Sequence, residues 1–245
     1  MADAVPIELA LQGGGAHGAY TWGVLDRLLE EPRIEIASIS AASAGAMNAA
    51  VLASAYAKEG GRAEGRAAAR AALRFFWKEI ADLARLDARD VYPSLAWLPF
   101  GPPAAGVNPF YDFGLSLMRA NAKTVSQVLP PSVVWPWNAD PLMRLVEQLV
   151  DPKHLRAPGA IRLFIAATNV RTSQMRLFEN CHLTPAAVVA SACLPKVFAP
   201  IEIDDQAYWD GGYLGNPPLL PLIAKSEHRD VLIVQLNPSV RAEMP

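Results

Sequence analysis

The chain has 245 residues, 52% hydrophobic and 19% charged, with a formal net charge of -2. That length fits one large α/β domain as well as two small ones, and the low charge content asks for a large core. No basic stripe marks a nucleic-acid binder. Two cysteines, Cys181 and Cys193, are too few for a disulfide framework and point to a reducing compartment. The stretch Met1 to Pro6 lacks the basic start of a secretory leader, and no apolar run approaches the ~18 residues of a membrane span.

Ile7 to Gln12 reads as a buried strand, followed by Gly13-Gly14-Gly15-Ala16-His17-Gly18. A helix follows over Ala19 to Leu29, with Tyr20, Val24, Leu25, Leu28 and Leu29 on its apolar face. A glycine loop between strand and helix leaves backbone N–H groups unpaired, with no Cβ to block an incoming anionic oxygen. The same string satisfies G-x-G-x-x-G through Gly13, Gly15 and Gly18, which keeps a dinucleotide-binding fold open. That fold wants an acidic residue at the end of the second strand. Glu35 is near the right distance but sits inside that strand.

Ile34 to Ile39 predicts the second strand, and Ala44 to Lys58 a helix broken by Gly60-Gly61. Between them Ser43 is flanked by Ala41, Ala42, Ala44 and Gly45. A serine at a sharp strand-to-helix turn is a nucleophile-elbow candidate, because the two backbones nearly touch there and only small side chains fit. The usual G-x-S-x-G pattern appears as A-x-S-x-G: Ala41 keeps the small volume but loses easy access to positive φ. The alternative role for Ser43 is a helix N-cap.

Arg62 to Ala84 predicts a further helix, with Leu73, Phe76, Trp77 and Ile80 on one side. From Tyr92 to Pro141 the texture changes: nine of the 21 prolines and eight aromatic residues fall there. So long an irregular excursion is expected to be a lid or binding loop, or else a packed cap, with a short helix over Pro109 to Arg119. Regular structure resumes with a helix over Pro141 to Val150, strands over Ile161 to Thr168 and Gln174 to Asn180, and a helix over Pro185 to Ala192 capped by Thr184. Ile201 to Ile203 and Ala207 to Trp209 resemble a hairpin turning at Asp204-Asp205. A helix over Pro218 to Lys225 and a buried strand over Val231 to Leu236 complete the series. The alternation predicts one α/β domain over residues 1–245, with a central, mostly parallel sheet sandwiched by helices.

The third signal is Asp210-Gly211-Gly212, within Tyr208-Trp209-Asp210-Gly211-Gly212-Tyr213. Alone, D-G-G is a turn string. Glycine loop, elbow serine and D-G-G in this order, with Ala-Ser-Ala-Cys-Leu-Pro before the last, resemble the patatin-like phospholipase family over about Ile7 to Asn237. The resemblance implies an α/β-hydrolase-related fold and hydrolysis of lipid acyl esters through an acyl-enzyme, with neither metal nor cofactor. Carried over by position, it makes Ser43 the nucleophile, Asp210 its base, and the Gly14 and Gly15 amides the oxyanion hole. Gly13, Gly18, Ala41, Gly45, Gly211 and Gly212 take the remaining motif positions. The implied partner is a lipid or acyl-ester substrate, met in the cytoplasm or at the periphery of membranes or lipid bodies; no nucleic acid is implied. His17 stands where the family carries a basic residue.

Two other readings stay open: a lipid-binding homologue that lost activity through Ala41, and a dinucleotide-binding protein using Gly13 to Gly18. His228, the one histidine after Asp210, lies in a polar connection and reads as a solvated loop residue, not a triad member. Cys181 and Cys193 read as small buried hydrophobes.

Overall fold

Three short apolar strands set up the sheet. In a computed structural model, which describes residues 4–84, 140–195, 198–225, 228 and 230–238, β1 (Val5–Leu11), β2 (Ile34–Ala41) and β3 (Arg162–Asn169) lie side by side and parallel. β7 (Val231–Val234) joins the far side of β1, also parallel. Beyond β3 the direction changes. β4 (Met175–Glu179) and β6 (Gln206–Asp210) run antiparallel to β3, and β5 (Ile201–Ile203) forms a hairpin with β6. The strand order is β5-β6-β3-β2-β1-β7, with β4 also paired to β3. The sheet is therefore mixed: its centre is parallel, and one side is antiparallel, where the β3–β4 and β5–β6 connections are too short for a crossover. Asp204 and Asp205 form the expected hairpin turn, both at positive φ (51° and 58°), which suits the twist of a two-residue hairpin.

Successive side chains on a strand point to opposite faces. Leu9 and Leu11 of β1, Ile39 of β2 and Leu163 and Ile165 of β3 turn to one face and are fully buried in the larger core. That core is completed by α1 (Gly18–Glu30), α2 (Ala44–Lys58), α3 (Arg62–Ala84), α4 (Asp140–Leu149), α5 (Pro152–Leu155) and α6 (Pro185–Ala190). On the opposite face Ala10 and Phe164 meet Leu222 of α7 (Leu220–Lys225) in a much smaller cluster. Every residue of α2 from Ala44 to Ser54 is buried. A helix covered all round needs no polar face, and its many alanines let neighbours come close. α3 packs across it through Leu73, Phe76 and Trp77, the two rings meeting edge to face at 5.4 Å. Arg70 ties α3 to α1 by hydrogen bonds to Asp26 (2.9 Å) and Glu30 (2.7 Å), and its guanidinium holds the Asp26 carboxyl below its ordinary pKa.

One buried polar side chain fastens three helices. Asn48 of α2 donates to the carbonyls of Gly18 (3.0 Å) and Ala44 (3.1 Å) and accepts from Trp77 Nε1–H of α3 (2.9 Å). A fully buried amide must find such partners.

The structure corrects two sequence expectations. Cys181 is exposed, in the turn after β4, with its Sγ 3.0 Å from His182 Nδ1; only Cys193 is buried. β7 was expected to be buried, yet among the described residues Val231, Leu232 and Ile233 are each at least 40% exposed and only Val234 is covered. Among the described residues it is an edge strand, and a short apolar run does not distinguish an edge from a centre. The stretch expected as a lid, with its helix over Pro109 to Arg119, lies outside the described residues apart from Asp140 and Pro141. Among the described residues no helix is long and apolar enough to cross a membrane.

Replacing Asn48 by leucine keeps the volume and strands Trp77 Nε1–H. Urea unfolding of Asn48→Leu is expected to show a loss of about 2 kcal/mol at an unchanged m value. A loss under about 0.5 kcal/mol would contradict the role given to this amide.

Candidate active site

Strand register brings the motifs together. Leu11 of β1 lies opposite Ala41 of β2 and Val234 of β7, and Ala41 lies opposite Ile165 of β3. Two residues past this line come Gly13 on one chain segment and Ser43 on the next. β4 occupies one edge of β3 over Phe164 to Thr168, so β2 and β6 must share the other edge. β2 leaves that edge after Ile165, and β6 takes it up with Asp210 opposite Ala167. Asp210 thus arrives where the chain of β2 turns away into the elbow. This is the carboxyl edge of the parallel strands, where ligands bind in open α/β sheets.

Ser43 sits in the turn at φ 55° and ψ -130°, a backbone that non-glycine residues rarely adopt. Its hydroxyl makes no capping hydrogen bond to α2, so the N-cap role considered from sequence is not the one it plays. Its N–H donates to both the carbonyl (3.1 Å) and the hydroxyl (3.0 Å) of Ser191, at the end of α6. The small residues around it are dictated by contact. A Cβ on Gly13 would stand 2.5 Å from Ser43 Cβ, and one on Gly45 would stand 2.5 Å from the Leu11 carbonyl oxygen. A Cβ on Gly18 would stand 2.7 Å from Ala44 Cβ, and one on Gly211 would overlap the Ala166 carbonyl oxygen. Ala41 is different. It is the last residue of β2, fully buried, and is not among the residues with positive φ. Glycine's extra freedom is not used there.

Asp210 is buried at 3% exposure. Burial pushes its carboxyl above the ordinary aspartate range; hydrogen bonds from the Ser43 hydroxyl and from Gly212 N–H (2.7 Å) oppose the shift without cancelling it. Its backbone is fixed as well: its N–H donates to Cys193 O (2.8 Å), and its carbonyl accepts from Thr168 Oγ1 (2.8 Å). Burial, helped by the Asp210 charge, pushes the Cys193 thiol up to about 12, so this cysteine stays a neutral packing residue.

The glycine loop is held from two sides. Asn216 Oδ1 accepts from Gly13 N–H (2.6 Å), and Asn216 Nδ2 donates to Gly13 O (3.1 Å). His17 donates to Gly14 O from both its backbone N–H (3.2 Å) and its ring Nδ1 (3.1 Å). Gln12 Oε1 accepts from the N–H groups of Leu236 (2.6 Å) and Asn237 (2.8 Å), beyond the end of β7. Among the described residues the Gly14 and Gly15 N–H groups donate to no acceptor. Gly15 has φ +58° with nothing within 4 Å of its missing Cβ, so it is there for conformation, not for space.

The loop, Ser43 and Asp210 line one cleft of about 650 Å³. Much of the remaining lining is an apolar wall, with Met47, Phe76, Trp77, Ile80, Leu142 and Phe198. All the glycine-loop, elbow and D-G-G positions singled out from sequence therefore meet at one edge of the sheet. Ser191 and Asn216 were given no role by sequence reasoning, although both stand beside the motifs. His228 does not line the cleft.

The model of the patatin-like phospholipase family matches residues 9–223. No curated protein matches the chain. Among solved structures, the crystal structure of VipD from Legionella pneumophila is similar over 94% of this chain, at 16% identity and a TM-score of 0.45. The chain spans 49% of the length of that VipD chain. With a single family model running from β1 to α7 and all three motifs inside it, the chain belongs to the patatin-like phospholipase family.

Proposed function

We propose that this chain hydrolyses acyl esters of lipids, with Ser43 as nucleophile and Asp210 as its base. The observation that carries the reading is Ser43 itself. A serine held at positive φ, with a hydroxyl free of capping duty and facing a buried carboxylate, has the features of an activated nucleophile. Strained backbone of this kind concentrates at functional sites.

In this reading Ser43 Oγ attacks the ester carbonyl as Asp210 takes its proton. The Gly14 and Gly15 N–H groups receive the oxyanion, and the leaving alcohol takes the proton back from Asp210. Water then attacks the Ser43 acyl ester with Asp210 again as base, which restores the free serine. An aspartate of ordinary pKa, about 3.9, is a weak base. The upward push of burial on Asp210 brings it nearer to the task. The apolar wall suits an acyl chain, and a cleft of about 650 Å³ is of the size that small ligands fill.

The inactive-homologue reading rested on Ala41. Its position inside β2, away from positive φ, removes the reason to expect a damaged elbow.

Three experiments test the proposal. Folded Ser43→Ala is expected to lose hydrolysis of p-nitrophenyl butyrate altogether, and Asp210→Asn to lose most of it; wild-type rates in either would sink the assignment. The base must be ionised, so kcat/KM of the wild type should fall as pH drops through a value above the ordinary aspartate pKa. An acid limb at or below about 3.9 would contradict the burial argument. For the elbow, Ala41→Gly is expected to lower stability by about 0.4–1 kcal/mol through the unfolded chain, with turnover unchanged. A rise in turnover would show that alanine strains the turn.

A further inference from the structure

The Asn216 side chain spans both polar groups of Gly13, accepting from its N–H (2.6 Å) and donating to its carbonyl (3.1 Å). Gly13 O belongs to the same planar peptide unit as Gly14 N–H, and in a trans peptide the two point in opposite directions. Holding Gly13 O against Asn216 therefore aims Gly14 N–H the other way. Asn216 and Gly14 both line the cleft beside Ser43. The amide is itself seated: Asn216 Cγ would lie 3.5 Å from a Cβ on Gly212, and its backbone carbonyl accepts from Gln12 Nε2 (3.3 Å).

We propose that Asn216 is a positioning residue that fixes the Gly13–Gly14 peptide plane so that Gly14 N–H serves as an oxyanion donor. The inference rests on the proposed Ser43 chemistry and adds to it a residue whose hydrogen bonds, among the described residues, go to Gly13 and Gln12 and not to the nucleophile or the base. Glycines on both sides of the peptide leave little intrinsic barrier to its rotation. Without the side-chain amide the plane is free to turn, and the N–H leaves its place. An oxyanion donor acts in the transition state and not on the bound ester, so its loss appears in kcat while KM is spared.

The test uses the whole chain, p-nitrophenyl butyrate, and an alkyl trifluoromethyl ketone that forms a tetrahedral adduct with a serine. Asn216→Ala is expected to lower kcat by about 10²-fold, the usual effect of losing one such donor, with KM within about twofold. Inhibition by the ketone should weaken in the same proportion. Asn216→Asp keeps an acceptor for Gly13 N–H but sets a carboxylate against Gly13 O; protonation of that carboxyl restores a donor. Its kcat relative to wild type should therefore rise as pH falls. This second variant is nearly isosteric and carries the test should Asn216→Ala fail to fold. Unchanged kcat in folded Asn216→Ala, a loss confined to KM, or a pH-independent ratio for Asn216→Asp would overturn the inference. Ser43→Ala run beside them separates the two levels: if it retains activity, the catalytic reading itself has failed, and if it is dead while the Asn216 variants are unaffected, only the present inference has.

Discussion

A single carbonyl oxygen, that of Ser191, ties the site together. It accepts from Ser43 N–H (3.1 Å) at the elbow and from Gly211 N–H (3.1 Å) in the D-G-G turn. The Ser191 hydroxyl accepts from Ser43 N–H as well (3.0 Å), and the residue is fully buried. Two segments that are far apart in sequence are thereby pinned to the end of α6. A bond buried away from water is expensive to leave unmade, which makes such a junction hard to loosen in part. Next to it, Cys193 O holds Asp210 N–H, so α6 and the turn after it set the backbone on either side of the acid.

That pinning makes a strained turn affordable. A non-glycine residue outside the common φ/ψ regions costs about 1–3 kcal/mol and persists only when its surroundings over-determine it. Ser43 lies between β2, which is locked in register on both sides, and α2, which is buried along most of its length. Gly13 and Gly45 let the neighbouring backbones close on it. The same tight packing takes Asp210 out of water, raising its pKa, while Gly212 N–H and the Ser43 hydroxyl keep the ionised form within reach. Backbone strain and carboxyl burial thus have one origin, the meeting of β2, β3 and β6 at the carboxyl edge of the sheet.

Much of this was legible in the sequence, for reasons that explain what was not. The strand–helix alternation showed because apolar runs and glycine breaks carry a local signal. Thr184 is an N-cap as expected, its Oγ1 accepting from Ala187 N–H (3.2 Å). The Ser43 turn and the Asp210 turn could be read because both need small neighbours in contiguous sequence. The antiparallel side of the sheet could not, since β4 and β6 are short and their pairing with β3 is a tertiary choice. Nor could Asn48, Ser191 or Asn216. Each acts through side-chain contacts to backbone or ring atoms many residues away, and an isolated Asn or Ser in a sequence does not disclose its partner. The exposure of Cys181 and of β7 was missed for the same reason: burial depends on which elements pack over a residue, not on its type alone.

The central claim is that Ser43 is an activated nucleophile in a preorganised site. The direct measurement is to treat the folded chain with an alkyl fluorophosphonate, digest it, and map the modified residue by mass spectrometry. The account predicts stoichiometric labelling at Ser43 alone, slowed sharply by Asp210→Asn. Absence of labelling, or labelling at another serine while Ser43 stays free, would contradict it.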